Sequence, residues 1–293
     1  MKVSIIIPNW NGEEKLRKNL PKVLKIKNVE EIIVVDDTST DGSVSLIEQS
    51  FPEVKLIKKT KNEGFSSTVN LGVEKASGDL VFLLNTDAIA QENCLKFILP
   101  NFKDPKVFSV GLNSGGSWAW GKFEKGFFWH YQAEEKVAIV HQTLWVSGGS
   151  GVFRKSIWIE LGGLDELFNP FYEEDVDLGY RATKRGYINL FEPKAVAEHY
   201  KEPGVITTNF SKSRIQMIAS RNQLLFIWKN ITSLWLIRSH LLNLFLMLIS
   251  NPRYWSVFLS ALAKLPKILK KRNLEKAKTK YRDEEVLSKF SNF

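Results

Sequence analysis

The chain has 293 residues, enough for one large domain or two smaller ones, and its composition of 44% apolar and 25% charged residues is globular. A single cysteine, Cys94, excludes an internal disulfide and fits a reducing compartment. The net charge of +9 is concentrated in residues 264–282, which carry nine Lys or Arg against one Glu. The rest of the chain is nearly neutral, which excludes the broad basic face of a nucleic-acid-binding protein.

The first ninety residues alternate between strand and helix patterns. The apolar run before Pro8 is too short for a signal-peptide core, so we expect the protein to stay in the cytoplasm. The alternation predicts an α/β fold with a mostly parallel central sheet covered by helices on both faces. Ligands of such sheets bind at the carboxyl ends of the strands, where PNWNG, DDTSTDGS and NTDA stand here. The patterns predict strands at 3–7, 31–36, 54–59 and 79–85, and helices at 13–26, 44–50 and 65–77.

The middle of the chain, about 107–205, is less regular. Gly- and Trp-rich loops lead to a short strand predicted near LWVSGG at 144–149 and a helix at 155–161. The stretch FNPFYEEDVDLGYRA at 168–182 then runs into a helix that Gly186 ends. Two short strands, YINLF and AVAEHY, are expected after it.

From Ser211 onward the pattern predicts apolar helices. The segment 231–250 is long enough to span a bilayer, but Arg238 and His240 lie near its middle, and a central Arg costs about 2.5–3.5 kcal/mol there. We therefore predict helices that lie on an anionic membrane surface at the inner face of the cell membrane, held by Trp235, Trp255 and the basic segment. A spanning hairpin and a helical subdomain packed on the core are the alternatives.

Four carboxylates crowd the acidic stretch: Glu173, Glu174, Asp175 and Asp177. They could simply suit the first turn of a helix, where unpaired N–H groups favour negative charge. One of them could instead accept a proton from a substrate. A helix N-terminus lowers the pKa of a carboxyl group, whereas neighbouring carboxylates raise it, so such a cluster can tune a base. Asp177 is expected to face away around the helix and to be structural.

Acidic side chains also follow two of the predicted strands. Asp36 and Asp37 could accept the imide N–H of uracil or thymine, or could form a turn. Asp87, in Asn85-Thr86-Asp87, could hold a divalent cation together with phosphate oxygens. An imidazole from His199 would shift the preference towards manganese. Neither the G-x-G-x-x-G pattern nor the P-loop pattern follows the first strand.

Taken in order, IIIPNWNG, VVDDTSTDGS, NEGFSSTVNLGVEKASGDLVFLLNTDA, VSGGSGVFRKSIWIELGGLDELF, FYEEDVDLGYRA and EHY resemble the family 2 inverting glycosyltransferases of GT-A fold. The rhamnosyl- and galactofuranosyltransferase-like branch is the most similar, over about residues 3–205. The resemblance implies a catalytic domain at 1–205, divided into a nucleotide-sugar half (1–106) and an acceptor and catalytic half (107–205). A helical, basic, membrane-associated region would follow at 206–293.

The resemblance also implies roles for individual residues. Glu174 and Asp175 match the acidic pair whose second member is the catalytic base. Asp87 and His199 match the metal-binding positions, although Asn85 replaces the first carboxylate of the family's strand-end motif. Trp145, Gly148 and Gly149 precede a helix and are expected to border the acceptor pocket, with a core role as the alternative for the tryptophan. The positions that match the family's contacts with the nucleotide are Pro8, Asn9, Asp37, Asn62, Gly64 and Asn85.

These observations predict a metal-dependent inverting glycosyltransferase that uses Mn2+ or Mg2+. It would move a sugar from dTDP-rhamnose or a UDP-sugar to a saccharide or lipid-linked acceptor in the assembly of a cell-surface polysaccharide. One alternative is a sugar-phosphate nucleotidyltransferase, whose usual Gly-rich loop PNWNG does not match. The other is a carbohydrate- or membrane-binding module whose acidic cluster only caps a helix.

Overall fold

The computed structural model describes residues 1–199 and 205–290. The strands of this part are β1 (Val3–Asn9), β2 (Glu31–Asp36), β3 (Lys55–Lys58), β4 (Leu80–Leu84), β5 (Ala88–Ala90), β6 (Val107–Asn113), β7 (Ala119–Glu124), β8 (Phe127–Gln132), β9 (His141–Gln142), β10 (Ser150–Arg154) and β11 (Ile188–His199). The helices are α1 (Glu13–Val23), α2 (Ser43–Ser50), α3 (Phe65–Lys75), α4 (Cys94–Ile98), α5 (Lys155–Leu161), α6 (Glu174–Lys184), α7 (Val205–Asn209), α8 (Lys212–Asn230), α9 (Leu234–Ser250), α10 (Tyr254–Leu262), α11 (Leu265–Lys278) and α12 (Asp283–Ser288).

The central sheet has the order β3-β2-β1-β4-β10-β6-β11-β5, with β9 beside β11, while β7 and β8 form a separate hairpin. Strands β3, β2, β1 and β4 are parallel, and so are β6 and β11. Strand β10 is antiparallel to both of its neighbours. The α/β class and the central sheet with flanking helices are confirmed, but the sheet is mixed rather than mostly parallel. Between β6 and β10 the chain forms a hairpin instead of the crossover helix that parallel neighbours need.

Two strand predictions in the middle of the chain differ from the structure. The strand expected at 144–149 instead lies directly after that range, at β10, where pairing with β4 and β6 buries Ser150 and Gly151. The two short strands predicted after α6 are one strand, β11, whose register on β6 shifts between Glu192 and Val196. Pro193 lies in that shift, where a residue without an N–H interrupts the ladder at least cost.

The hydrophobic core consists of three clusters of buried apolar side chains. One layer of apolar side chains packs between the sheet and α1, α2 and α4, and a second packs between the sheet and α3, α5 and α6. A third joins the β7–β8 hairpin and α6 to α8–α12. The C-terminal helices thus share a core with the hairpin and with α6. The predicted boundary at residue 205 stays a prediction.

Across 1–199 and 205–290, no helix combines the length and the hydropathy that crossing a membrane requires.

Candidate active site

Three neighbouring parallel strands, β2, β1 and β4, end at the same edge of the sheet with polar residues. Asn9 at the end of β1 lies beside Asp36 at the end of β2, and its Nδ2 donates to Asp36 Oδ1 over 2.8 Å. Pro8 precedes it, half-buried. A Cβ on Gly12 would lie 2.4 Å from Asn9 Oδ1, so the loop after β1 closes over this asparagine only because residue 12 is glycine. The expected gathering of polar residues at this edge is therefore present.

Asp37 holds the turn that contains Asn62 and Gly64. Its buried carboxylate lies 2.7 Å from Lys59 Nζ and accepts from the backbone N–H groups of Glu63 (3.1 Å) and Gly64 (2.9 Å). The side chain of Asn62 donates to the Asp37 carbonyl over 3.2 Å. The structure thus brings these three predicted nucleotide-binding residues together. Recognition of a base by Asp37 stays a prediction.

The segment after β4 brings Asn85 and Asp87 to the same edge. The N–H of Asn85 donates to the Gly149 carbonyl over 3.0 Å. A Cβ on Gly149 would lie 2.5 Å from Asn85 Nδ2, so glycine permits this close approach. Asp87 is partly exposed, and its Oδ2 lies 3.5 Å from Lys15 Nζ. In the strand ladder His199 is opposite Ala88, next to Asp87, while the His199 side chain lies outside the described residues.

The residues at this edge could supply only some of the ligands that a metal ion needs. The described residues contain no group of three or more His, Cys, Asp or Glu that could hold a metal. Asp87 offers one carboxylate, and the pairing of His199 with Ala88 brings that backbone close to it. Because hard divalent cations take about six oxygen ligands, most of them would come from the diphosphate of a bound nucleotide and from water.

The acidic stretch is tied directly to the turn at 62–64. Asn169 Nδ2 donates to the Glu63 carbonyl over 2.6 Å and to Ser67 Oγ over 3.0 Å. Asn169 Oδ1 accepts from the N–H of Ser66 over 3.2 Å. Gly64, with φ of +86°, approaches Pro170 so closely that a Cβ would lie 3.2 Å from the proline Cα. The predicted nucleotide turn and the acidic stretch therefore form one unit.

The backbone just before α6 is strained and is held from a distant helix. Tyr172 and Glu173 both have φ of +73°, a conformation that costs a non-glycine residue about 1–3 kcal/mol. The fully buried Asn222 of α8 donates to the carbonyls of Phe168 (2.7 Å), Phe171 (2.9 Å) and Tyr172 (2.9 Å). These bonds fix the loop that leads into the acidic cluster.

Tertiary partners divide the four carboxylates into different roles. Asp177 is fully buried and accepts from Arg181 Nε (2.8 Å), Lys229 Nζ (2.8 and 2.9 Å) and Asn230 Nδ2 (2.8 Å). The prediction that Asp177 is structural is therefore confirmed. Glu173 Oε1 lies 3.1 Å from His130 Nε2.

Among the described residues, no cationic side chain forms an ion pair with Asp175 or Glu174. Asp175 is partly exposed, its Oδ1 accepts from the Val176 N–H over 2.8 Å, and its Oδ2 accepts from the Gly148 N–H over 3.3 Å. Burial raises the pKa of Asp175 more than these N–H groups and His130 lower it. Burial and the neighbouring Asp175 raise the pKa of Glu174 well above its usual range, and its buried Oε2 has no hydrogen-bond partner among the described residues.

Trp145 packs against α6 at Gly179 and lines a cavity of about 240 Å³. Gly148, predicted with Gly149 to border an acceptor pocket, donates to Asp175, and its place at such a pocket stays a prediction. Neither Gly148 nor Gly149 lines the cavity, although Ser147 and Ser150 on either side of them do. Ser117 Oγ is buried at the cavity wall, and no described residue forms a hydrogen bond with it. The polar and aromatic lining includes Ser114, Ser117, Gln132, Trp145, Ser147 and Ser150.

Sequence reasoning missed four residues that build this site: Lys59, His130, Asn169 and Asn222. The Asn169-Pro170 pair is typical of a turn, and Asn222 is a polar residue close before the apolar run LLFIW of α8. Those two signals were available. The sequence offers no such signal for Lys59 and His130, because their contacts with Asp37 and Glu173 form only in the fold.

A family model described as Glycosyl transferase family 2 matches residues 4–162. Poly-beta-1,6-N-acetyl-D-glucosamine synthase of Staphylococcus aureus (strain COL) is 26% identical over 208 residues, covering 66% of this chain and 48% of that protein. N-acetylglucosaminyl-diphospho-decaprenol L-rhamnosyltransferase of Mycobacterium tuberculosis (strain CDC 1551 / Oshkosh) is also 26% identical over 208 residues, covering 58% of this chain and 66% of that protein. The chain spans about half the length of the first of these relatives.

The crystal structure of GalNAc-T7 with UDP, GalNAc and Mn2+ aligns with a TM-score of 0.64 at 17% identity. The alignment covers 78% of this chain and 48% of that one. At this identity the likeness establishes a shared fold.

Proposed function

Because the chain belongs to glycosyl transferase family 2, we propose that it transfers a sugar, with inversion at the anomeric carbon, from a nucleotide diphosphate to a saccharide or lipid-linked acceptor. Two relatives support the class of reaction: one is named for making poly-N-acetylglucosamine and the other for transferring L-rhamnose to a lipid diphosphate. The donor would be dTDP-rhamnose or a UDP-sugar. The product would enter a cell-surface polysaccharide.

The observation that carries this proposal is the position of Asp175. Its carboxylate is partly exposed, and its partner Gly148 is followed by Gly149, which binds Asn85 at the end of β4. Asp175 and the strand-end residue Asn85 thus contact adjacent residues of one segment. Each Asp175 oxygen keeps a lone pair for an acceptor hydroxyl. A raised pKa makes this carboxylate a stronger base, so it would take the hydroxyl proton as the oxygen attacks the anomeric carbon.

On the donor side, this chain's residues would bind and orient the nucleotide. The turn at Asn62 and Gly64, held by Asp37, would face the base, and Pro8 and Asn9 would contact the nucleoside. Asp87 and His199 would hold Mn2+ or Mg2+ against the diphosphate. When bound, such an ion stabilises the negative charge that grows on the leaving diphosphate. Lys15, 3.5 Å from Asp87, would add a fixed positive charge there.

The cavity beside Trp145 would hold a sugar ring next to the base. Hydroxyl groups and a carboxamide line it together with an indole, the combination that binds the polar edges and the C–H face of a sugar. The residues around it include no charged side chain, which suits an uncharged sugar. Trp145 would stack on that ring.

The experiment that tests the donor site is calorimetric titration of UDP and dTDP in the presence and absence of manganese. Binding of one nucleotide that depends on the metal is the expected result. A sugar-phosphate nucleotidyltransferase would instead bind a nucleoside triphosphate, and a non-catalytic module would bind neither diphosphate.

We further propose that α9 and α10 rest on an anionic membrane surface. Helix α9 exposes apolar side chains at the spacing of one helix face, and Trp255, Leu259 and Leu262 are exposed on α10. Lysines of α11, including Lys267 and Lys270, are exposed nearby in sequence. Apolar insertion combined with cationic side chains is the chemistry of attachment to anionic lipid. The exposed apolar face of α9 consists of Leu234, Trp235, Leu241, Leu242, Phe245, Leu246 and Ile249.

Cosedimentation with lipid vesicles tests this surface. The protein should pellet with vesicles that contain phosphatidylglycerol more than with phosphatidylcholine alone, and less at high salt. Replacing Trp235 or Phe245 by Ser should weaken partition about tenfold each, because each removes a large apolar group from the interface. Ile159→Ser, at an equally exposed position on α5, is the control that should bind as the wild type does. If the wild-type protein stays in the supernatant with every kind of vesicle, the proposal is contradicted. If the molecular mass in solution also rises with protein concentration, the face binds a second copy of the chain instead.

A further inference from the structure

His130 stands at the edge of the acidic cluster on a strand that the proposed mechanism does not use. It lies in β8, and its Nε2 is 3.1 Å from Glu173 Oε1. Its ring meets Trp145 edge-on, with centroids 5.0 Å apart and planes at 84°. One imidazole therefore contacts both the acidic loop and the aromatic wall of the cavity.

The hairpin holds this imidazole firmly. Phe128, two residues earlier on the same strand, stacks on Phe226 of α8 with centroids 4.4 Å apart, and its carbonyl accepts from Gln223 Nε2 over 2.8 Å. At the hairpin turn, the Gly126 carbonyl lies 2.7 Å from Nδ1 of the fully buried His240 in α9. His130 is thus carried by a strand packed on two helices.

Glu173 depends on His130 for its charge balance. Its side chain is 9% exposed and its backbone is left-handed, and within the described part of the chain its buried Oε2 has no hydrogen-bond partner. Burial lowers the pKa of His130, but the hydrogen bond and charge of Glu173 outweigh it and leave that pKa raised. An imidazolium there would occupy the one cationic position that the described residues provide beside Glu173.

The charge on His130 also acts on Asp175. It lowers the pKa of Asp175, against burial and Glu173, which raise it. Glu174 and the Tyr172 hydroxyl are the other titratable groups on this loop, and the Asp177 carboxylate is already neutralised by its own cations. The segment at 145–150 offers no charged side chain, and the residue opposite His130 on β7 is Gly121.

We propose that His130 is a positioning residue of the transfer site: paired with Glu173, it sets the Trp145 ring at the sugar cavity and supplies the positive charge that faces Asp175. This inference rests on the proposed function, because it assigns His130 a role in the reaction that Asp175 would carry. It acts through Glu173, Trp145 and Asp175 and need not touch a substrate.

The test compares His130→Gln, which keeps an N–H donor without charge, with His130→Lys, which restores a charge. The readout is the pH profile of nucleotide release from UDP-GlcNAc or dTDP-rhamnose with manganese. Without the imidazolium the pKa of Asp175 rises, so the acid limb of the profile moves to higher pH. The rate of the Gln variant relative to the wild type should be about two- to fivefold lower on that acid limb than at neutral pH. This is the size of effect expected of a half-exposed ion pair. The Lys variant should recover most of it.

His141→Gln is the matched control, because His141 stacks on Trp118 and lies 2.6 Å from the Gln142 carbonyl, away from the cluster. It should leave the profile unchanged. An equal loss for His130→Gln at every pH would overturn the proposal.

A second readout needs no turnover. Proton NMR should find the pKa of the His130 imidazole above its ordinary value, and Glu173→Gln should lower it. An imidazole pKa at or below the ordinary value, and insensitive to Glu173→Gln, would overturn the pairing whether or not the enzyme is active. If the wild type releases nucleotide from neither donor, the proposed function is what fails, and the NMR titration alone decides on His130.

Discussion

Asp175→Asn should abolish sugar transfer while leaving nucleotide binding unchanged. The amide has the size of the carboxylate, but its single oxygen can accept from only one of the Gly148 and Val176 N–H groups, and it cannot take a proton from a hydroxyl. Loss of a general base lowers the rate by about 10²- to 10⁴-fold. The measurement is kcat for nucleotide release, with calorimetry on the same sample to verify that nucleotide affinity is retained.

The control for Asp175 is Glu166→Gln, an exposed acid in the turn before the acidic loop, which should leave kcat unchanged. If Asp175→Asn keeps wild-type turnover and loses only stability, Asp175 is a helix cap, and the base must be sought elsewhere.

Lys229→Met should cost about 3–5 kcal/mol of unfolding free energy, because it removes the buried cation that two buried carboxylates share. Lys229 Nζ is 2.6 Å from Asp165 and 2.8 Å from Asp177, and all three side chains are buried. Burial disfavours ionisation of Asp165, yet Lys229 and Lys271 outweigh it and hold the pKa of Asp165 below its usual range. The stabilisation that Asp165 provides is therefore present above the ordinary pKa of an aspartate and is lost as the pH falls towards the lowered folded-state value.

Lys271→Met is the matched control for Lys229. Lys271 also contacts Asp165, over 2.7 Å, but its side chain is 44% exposed, so its loss should cost about 1 kcal/mol or less. Urea denaturation of both variants gives the comparison. Equal losses would mean that the network around Asp177 does not depend on a buried cation.

The N-terminal half of the fold could be predicted because its signals are local. Each of the first strands is a short apolar run that ends in polar turn residues, and the helices between them have a regular apolar spacing. The mixed part of the sheet could not be found this way. Ser150 and Gly151 resemble turn residues and become a strand only by pairing with β4 and β6, and the pattern at 187–200 gave no sign that β11 continues through Pro193.

The acidic cluster shows that local sequence signals were also insufficient within the site. The sequence shows four carboxylates with little to separate them, and helix spacing alone set Asp177 apart. Lys229, 52 residues from Asp177, and His130, 43 residues from Glu173, give these acids their separate roles. Asp37 is a comparable case, since its carboxylate is engaged by Lys59 and by the turn at 62–64. Residue types indicate where in the sequence the candidate site lies. Contacts that form only in the fold distinguish the individual residues within it.

The measurement that tests the central claim most directly is calorimetric titration of UDP and dTDP into the wild type, with and without manganese, and into Asp87→Ala. The account predicts that at least one nucleotide binds, that manganese strengthens the binding, and that Asp87→Ala removes the manganese-dependent part. If neither nucleotide binds under any metal condition, the strand-end residues do not form a donor site, and the acidic cluster serves only to begin α6.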